Sequence, residues 1–338
     1  QGCINSIGDY KGLHMIEEIR PNLFRLPIPL PDSPLKYLNA YVIKSDDRNL
    51  IVDTGLNRTA CLEAMHAGLE QLNIDITRTD FFITPLPADH FGLVARLVSD
   101  SSRIYFNRPD AELIESWEGF EPMIDFAGRN GFPKEELRAA LDAHPGHKFG
   151  SDWVPELKLL EEGETINIGA YCFQCIETPG HTLGHMCLYE PSEKIFIAGD
   201  HILIDITPNI QCWEDTQNPL KNYMESLDKV SRLDVDIVLP GHRRVFTHFN
   251  QRIQELKQHH QERLAEVEQI LQNGEPQSAF AVAGQMQWDI KCDSWEEFPV
   301  AQRWFATGEA LAHLRFLERE KRLDQHVEAG VVAFSLKG

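Results

Sequence analysis

Four loops in this chain share one construction. A short β-favouring apolar run ends in small residues or proline, and a histidine or aspartate follows at once. They are A-D-H at 88–90, T-P-G-H-T at 178–182, A-G-D-H at 198–201 and L-P-G-H-R at 239–243. Polar residues that follow apolar strands lie along one rim of a sheet, so the four segments can converge. Imidazole and carboxylate together suit zinc, iron or manganese. One histidine alone would most often be a satisfied core or surface residue; four such loops point to a single centre.

The elements around these loops alternate. Leu23 to Leu26, Asn39 to Lys44, Asn49 to Val52 and Asp80 to Thr84 read as strands, with an amphipathic helix from Thr59 to Leu72. A helix is predicted over Asp89 to Ser99 and a strand over Arg103 to Phe106. Strand signals return at 165–168, 171–178, 186–190, 194–198 and 235–239, with a helix at 223–233. Clustered strands with helices between them predict an α/β layered domain over 1–249, interrupted by a helical, aromatic-rich insertion at about 109–153.

Residues 250–338 have another character: a long charged helix to Asn273-Gly274, helices at 278–286 and 301–318, and a strand near 331–335. They read as a small winged-helix-like unit. Its ten basic and fourteen acidic residues argue against nucleic acid and for packing or oligomerisation, so a homodimer is expected. The whole chain carries a formal charge of −20, which argues against anionic membranes and polynucleotides as partners and leaves a small-molecule substrate. No apolar run reaches the roughly 18 residues of a membrane span, and no signal-peptide order is seen. Seven cysteines without framework spacing suggest free thiols and a cytoplasmic setting. Cys172 and Cys175 lie in an alternating strand pattern and read as strand residues rather than a redox or zinc pair.

The loops, in this order, resemble the metallo-β-lactamase superfamily, an αββα sandwich. That pattern runs H-x-H-x-D-H, then G-H-T, G-D and P-G-H, after an early strand ending in D-T-G, here Asp53-Thr54-Gly55. The resemblance covers roughly residues 20 to 249 and implies metal ligands at Asp89, His90, His181, Asp200 and His242. It also implies catalytic roles for Asp89, His181 and Asp200. One divalent metal per chain is implied, zinc first, with iron or manganese as alternatives.

The chain departs from the pattern where the first two histidines would stand, at Pro85 and Pro87. Proline offers no donor atom, so the first metal site loses two of its three protein ligands. The second site, on Asp89, His90, Asp200 and His242, is complete. Prolines force Thr84 through Pro87 to be extended, which a strand-to-helix connection tolerates. The expected function is therefore a metal-dependent hydrolase with a reduced, mononuclear centre, acting through metal-activated water on an ester, thioester, lactone or similar bond. The alternatives are a catalytically silent binding or scaffold protein, or an inactivated variant of a hydrolase with histidines at 85 and 87. The C-terminal unit resembles an extension found on a branch that includes single-stranded RNA nucleases, which is the alternative within the enzyme class.

Other residues are read more plainly. Asp53 is expected to hold loops near the metal, and one of Arg243 and Arg244, which follow His242, either to meet an anionic substrate group or, like the other, to pair with surface acids. His185 and His201 are expected to be neighbours rather than ligands. His144, His147, His259 and His260 are expected to face solvent. Trp117, Phe120 and Phe126 either line an apolar pocket or pack the insertion.

Overall fold

Residues 49–52 (N-L-I-V) and 195–199 (I-F-I-A-G) carry no polar side chain beyond one asparagine, and every one of them is buried. Strands apolar on both faces must be covered on both faces, and the structure, a computed structural model describing residues 15–143, 156–290 and 292–338, covers them with two stacked sheets and outer helices. The first sheet orders β1 (Glu17–Arg20), β2 (Leu23–Pro29), β3 (Tyr37–Ile43), β4 (Asn49–Val52), β5 (Thr79–Phe82), β6 (Ile104–Asn107) and β7 (Leu157–Leu160) side by side. Pairing is antiparallel up to β3–β4 and parallel from β4 to β7. The second sheet takes β8 (Thr165–Ile168), β9 (Tyr171–Glu177), β10 (Met186–Glu190), β11 (Ile195–Gly199) and β12 (Ile237–Pro240), with β12–β11 parallel at one edge.

Tyr41, Val52 and Phe82 of the first sheet meet Phe173, Leu188 and Ile197 of the second in one apolar layer. The outer face of the first sheet packs on helix α1 (Thr59–Gln71) through Leu26, Val42, Ile51, Met65 and Leu69. Helices α2 (Ala88–Phe91) and α3 (Val94–Leu97) follow β5 as two single turns rather than the one helix predicted over 89–99. The insertion forms α4 (Arg108–Glu115), α5 (Glu121–Arg129) and α6 (Lys134–Ala143). The outer face of the second sheet lies under α7 (Pro219–Val230), α8 (Phe249–Ile270) and, beyond the short α9 (Ala279–Ala283), α10 (Val300–Arg319). This is the layered α/β metallo-β-lactamase architecture, and the C-terminal region adds three helices and a small sheet ordered β13 (Gln277–Ser278), β15 (Val331–Leu336), β14 (Leu323–Glu328).

The aromatics of the insertion divide between core and surface. Phe126 and Phe132 are buried, the latter edge-on to Phe280 at 5.1 Å, and Arg303 of α10 pairs with Glu136 at 2.6 Å. Trp117 stays half-exposed against Phe120. His144, His147 and Trp153 lie outside the described residues. Cys172 and Cys175 sit on β9 as their alternation predicts, one exposed and one buried, and burial pushes the Cys175 thiol up to about 12. One expectation is corrected: His260 does not face solvent but is fully buried, 3.1 Å from His313 and edge-on to Tyr223. No helix among the described residues is long and apolar enough to cross a membrane.

Candidate metal centre

Each polar group of the centre is delivered by the end of a strand. β4 stops at Val52, and Asp53 follows in left-handed backbone (φ 60°), its N–H on Phe82 O at 3.0 Å. β5 stops at Phe82, and the chain then runs through Pro85 and Pro87, with Pro87 extended at ψ 144° as the N-cap of α2. That turn brings Asp89 and His90 to the rim. β9 leads to His181, β11 to Asp200 and β12 to His242.

The histidines share one tethering scheme. His90 Nδ1 lies 2.9 Å from Asp53 Oδ2, His242 Nδ1 2.9 Å from Tyr37 O, and His181 Nδ1 2.9 Å from Asn209 O. A carbonyl or carboxylate only accepts, so Nδ1 carries the proton in each ring and Nε2 is the free donor atom. The Nε2 atoms of His90, His242 and His181 lie 3.5, 3.6 and 3.8 Å from the same oxygen, Asp200 Oδ2. Asp89 Oδ2 is 3.3 Å from His242 Nε2. His90 Nε2, His242 Nε2 and Asp200 Oδ1 are buried without a hydrogen-bond partner. Asp89, His90 and His242 each offer one donor atom, all within 4.8 Å of one another. Buried polar atoms are nearly always satisfied; the orphaned atoms of two imidazoles and one carboxylate, with the Asp89 carboxylate beside them, fit a divalent cation. The fit holds for the second site. At the first, only His181 and Asp200 remain beside Pro85 and Pro87.

The charges are mutually dependent. Burial opposes a charged His90, yet the carboxylates of Asp53, Asp200 and Asp89 outweigh it and hold its pKa well above the ordinary value. Burial likewise opposes a charged His242, and Asp200 and Asp89 raise it all the same. Asp200 feels burial pushing up but lies well below the usual carboxylate range, because His242, His90 and His181 surround it. Asp89 is lowered in the same way by His90 and His242.

A stability profile follows for protein kept free of metal by a chelator. The raised histidines contribute stability fully below an unfolded pKa of about 6.5, and it is lost as pH rises through their folded values. The lowered aspartates contribute above about 3.9 and fail only in stronger acid. The urea midpoint of chelated protein is therefore expected to fall from pH 6 to pH 9. A divalent ion competes with protons for the same imidazoles and binds better as pH rises, so the metal-loaded midpoint should hold or climb. A chelated protein that gained stability over that window would contradict this charge arrangement.

His185 and His201 stand beside the centre as neighbours rather than ligands, and one further support, Asp110, escaped the sequence reading. His185 accepts the Asp200 backbone N–H on Nε2 at 3.0 Å and meets Thr178 Oγ1 with Nδ1 at 2.7 Å, so it holds the aspartate from behind. His201 is buried between His185 and Tyr223 and does not reach the centre's donor atoms through any ion pair or hydrogen bond. Asp110 is the support that the sequence reading lacked. Its carboxylate accepts from Leu86 N (3.1 Å), Thr182 Oγ1 (2.8 Å) and Gly184 N (2.9 Å), so one buried side chain joins the proline loop to the His181 loop. The segment N-R-P-D shows a capping asparagine and an early proline, which signals a helix start and nothing more.

The metallo-beta-lactamase superfamily model matches residues 88–242. A probable metallo-hydrolase of Bacillus subtilis is 25% identical over 311 residues, 87% of this chain and 92% of its own. An acyl-coenzyme A thioesterase of Bos taurus is 25% identical over 220 residues, 62% of this chain and 74% of its own. In structure, a metallo-beta-lactamase family protein of Thermus thermophilus superposes with a TM-score of 0.79 at 25% identity, over 95% of this chain and all of the other. With two sheets, ordered post-strand loops and a convergent His/Asp centre in agreement with these likenesses, the chain belongs to the metallo-beta-lactamase superfamily.

Proposed function

We propose that this protein is a hydrolase working with one divalent ion, zinc first, held by Asp89, His90, Asp200 and His242, and that its substrate is a thioester or related acyl ester. The observation that carries the reading is the set of buried, partnerless donor atoms on His90, His242 and Asp200. An ion there supplies Lewis acidity and a nucleophile at neutral pH. His181, its Nδ1–H bound to Asn209 O and its ring partly open to solvent, keeps an Nε2 lone pair at the rim. It takes a proton during attack and returns it to the leaving group. Asp89, held anionic by its histidine neighbours, accepts a hydrogen bond from the attacking water and orients it. The thioesterase among the relatives supports the same bond type. The acidic excess of 250–338 disfavours the nuclease alternative.

Metal content tests this. Elemental analysis of the purified chain is expected to give about one ion, and Pro85→His/Pro87→His about two, because the change supplies the missing ligands beside His181 and Asp200. Near zero in the chain as it stands, with two in the histidine version, would instead make it a catalytically silent form. A panel of thioester, lactone and phosphodiester substrates then assigns the bond.

A further inference from the structure

The loop that delivers His242 ends in two consecutive arginines, and the structure treats them differently. Arg244 faces outward in a two-pronged pair with Asp205, Nε to Oδ2 at 3.1 Å and Nη2 to Oδ1 at 3.0 Å. Arg243 has no ion pair among the described residues, although the chain holds 52 acidic residues against 32 basic ones. Its recorded polar side-chain contact is Nη2 to Pro34 O at 3.5 Å, the outer limit of a hydrogen bond, and its Nε is buried without a partner.

The backbone adds a second observation. Arg243 sits at φ 69°, in the left-handed region where a side chain is strained and glycine is not. Asn39 enforces that geometry, its Nδ2 donating to Pro240 O at 2.9 Å and to Arg243 O at 2.7 Å. Strain of this kind persists where surrounding structure over-determines it, and it gathers at ligand clamps. Arg243 directly follows His242, so its Cα stands about 3.8 Å from that of a metal-site residue. Pro34, on the turn between β2 and β3, touches Arg243, and Tyr37, the first residue of β3, touches His242, so one wall carries both.

We propose that Arg243 grips an anionic group of the substrate, a carboxylate or phosphate oxyanion placed close to the bond that is cut. Guanidinium offers a planar fork that matches either oxyanion, and a cation spared from neutralisation by its own protein is available for one. This deepens the hydrolase reading and rests on it. Arg243 acts by recognition and takes no part in bond breaking.

The test uses the full metal-loaded chain, the variants Arg243→Gln, Arg243→Lys and Arg244→Gln, and three matched thioesters: neutral acyl, ω-carboxylated acyl and phosphate-bearing thiol. For Arg243→Gln the rise in KM on one anionic thioester is expected to exceed that on the neutral one by about 10- to 100-fold, the worth of a charged hydrogen bond. The change in kcat should be smaller, Arg243→Lys should recover part of the loss, and Arg244→Gln should not discriminate. Which of the two anionic thioesters responds identifies the oxyanion. Equal losses on neutral and anionic substrates, or the same discrimination from Arg244→Gln, would overturn the assignment. If no thioester is cleaved, the hydrolase reading has failed separately. Calorimetric titration with succinate and with inorganic phosphate then decides for Arg243: binding lost in Arg243→Gln sustains the grip, and binding indifferent to that change removes it.

Discussion

Asp200→Asn is expected to strip the centre of its ion and to lower hydrolysis by about 1,000-fold. The magnitude follows from several kcal/mol of charge stabilisation at about 1.4 kcal/mol per decade. One carboxylate oxygen stands within 3.8 Å of three imidazole Nε2 atoms, so removing its charge withdraws the anion on which all three converge. Asparagine keeps the shape, and the backbone N–H stays on His185, so the loop should hold its place. Elemental analysis beside a melting curve separates the two effects. A well-folded Asp200→Asn protein that still held its ion and its rate would remove this aspartate from the centre.

The second large effect belongs to Asp53. Its carboxylate accepts the Thr84 N–H at 2.9 Å, the Thr84 hydroxyl at 2.7 Å and His90 Nδ1–H at 2.9 Å, all out of solvent. Asp53→Ala leaves those donors unmet and is expected to cost about 3–5 kcal/mol, the usual result of breaking a buried pair from one side. Metal affinity should fall a further 10- to 100-fold, as when the partner of a ligating histidine is lost. Part of the cost is backbone, since alanine at φ 60° is strained where Asp and Asn are tolerated. Asp53→Asn separates the contributions, keeping the conformation while presenting an amide to His90. Urea unfolding in chelator, followed by metal titration, reads each part. An alanine variant within about 1 kcal/mol of the parent would show that Thr84 and His90 find other acceptors.

Much of the site was legible because its chemistry falls in short contiguous words at strand ends. The four loops stand out by their local words, the resemblance to the metallo-β-lactamase pattern names Asp53, Asp89, His90, His181, Asp200 and His242 from them and from the D-T-G strand end, and the sheets bring these residues together. Asp110 could not be named that way, because its partners lie 24, 72 and 74 residues away and nothing local advertises them. His260 was misjudged for a different reason. Its polar neighbours suggested solvent, yet it falls on the same stripe as Leu256, Leu264 and Val267, and helical spacing outweighs local polarity. The helix predicted over 89–99 breaks at Leu93, whose N–H bonds Gly55 O at 3.0 Å in the D-T-G loop instead of continuing the helical ladder. A Cβ on Gly92 would come within 2.4 Å of Ala88 O and 2.9 Å of Asn57 N, a steric fact visible only in three dimensions. Arg243 and Arg244 were indistinguishable as letters, and a single acidic partner, Asp205, tells them apart.

The apolar layer behind the second sheet has no seam where the chain changes character near residue 250. Phe196 and Val238 of that sheet, Tyr223 of α7, Ile253 and Leu264 of α8, Leu314 of α10 and Phe334 of the terminal ribbon belong to one cluster. Tyr223 also donates its hydroxyl to His201 O, next to Asp200. Shortening the chain at the apparent boundary would uncover the back of the very strands that present the metal-site loops. The C-terminal helices and ribbon are thus a buttress for the rim of the second sheet rather than an appendage that could be removed from it.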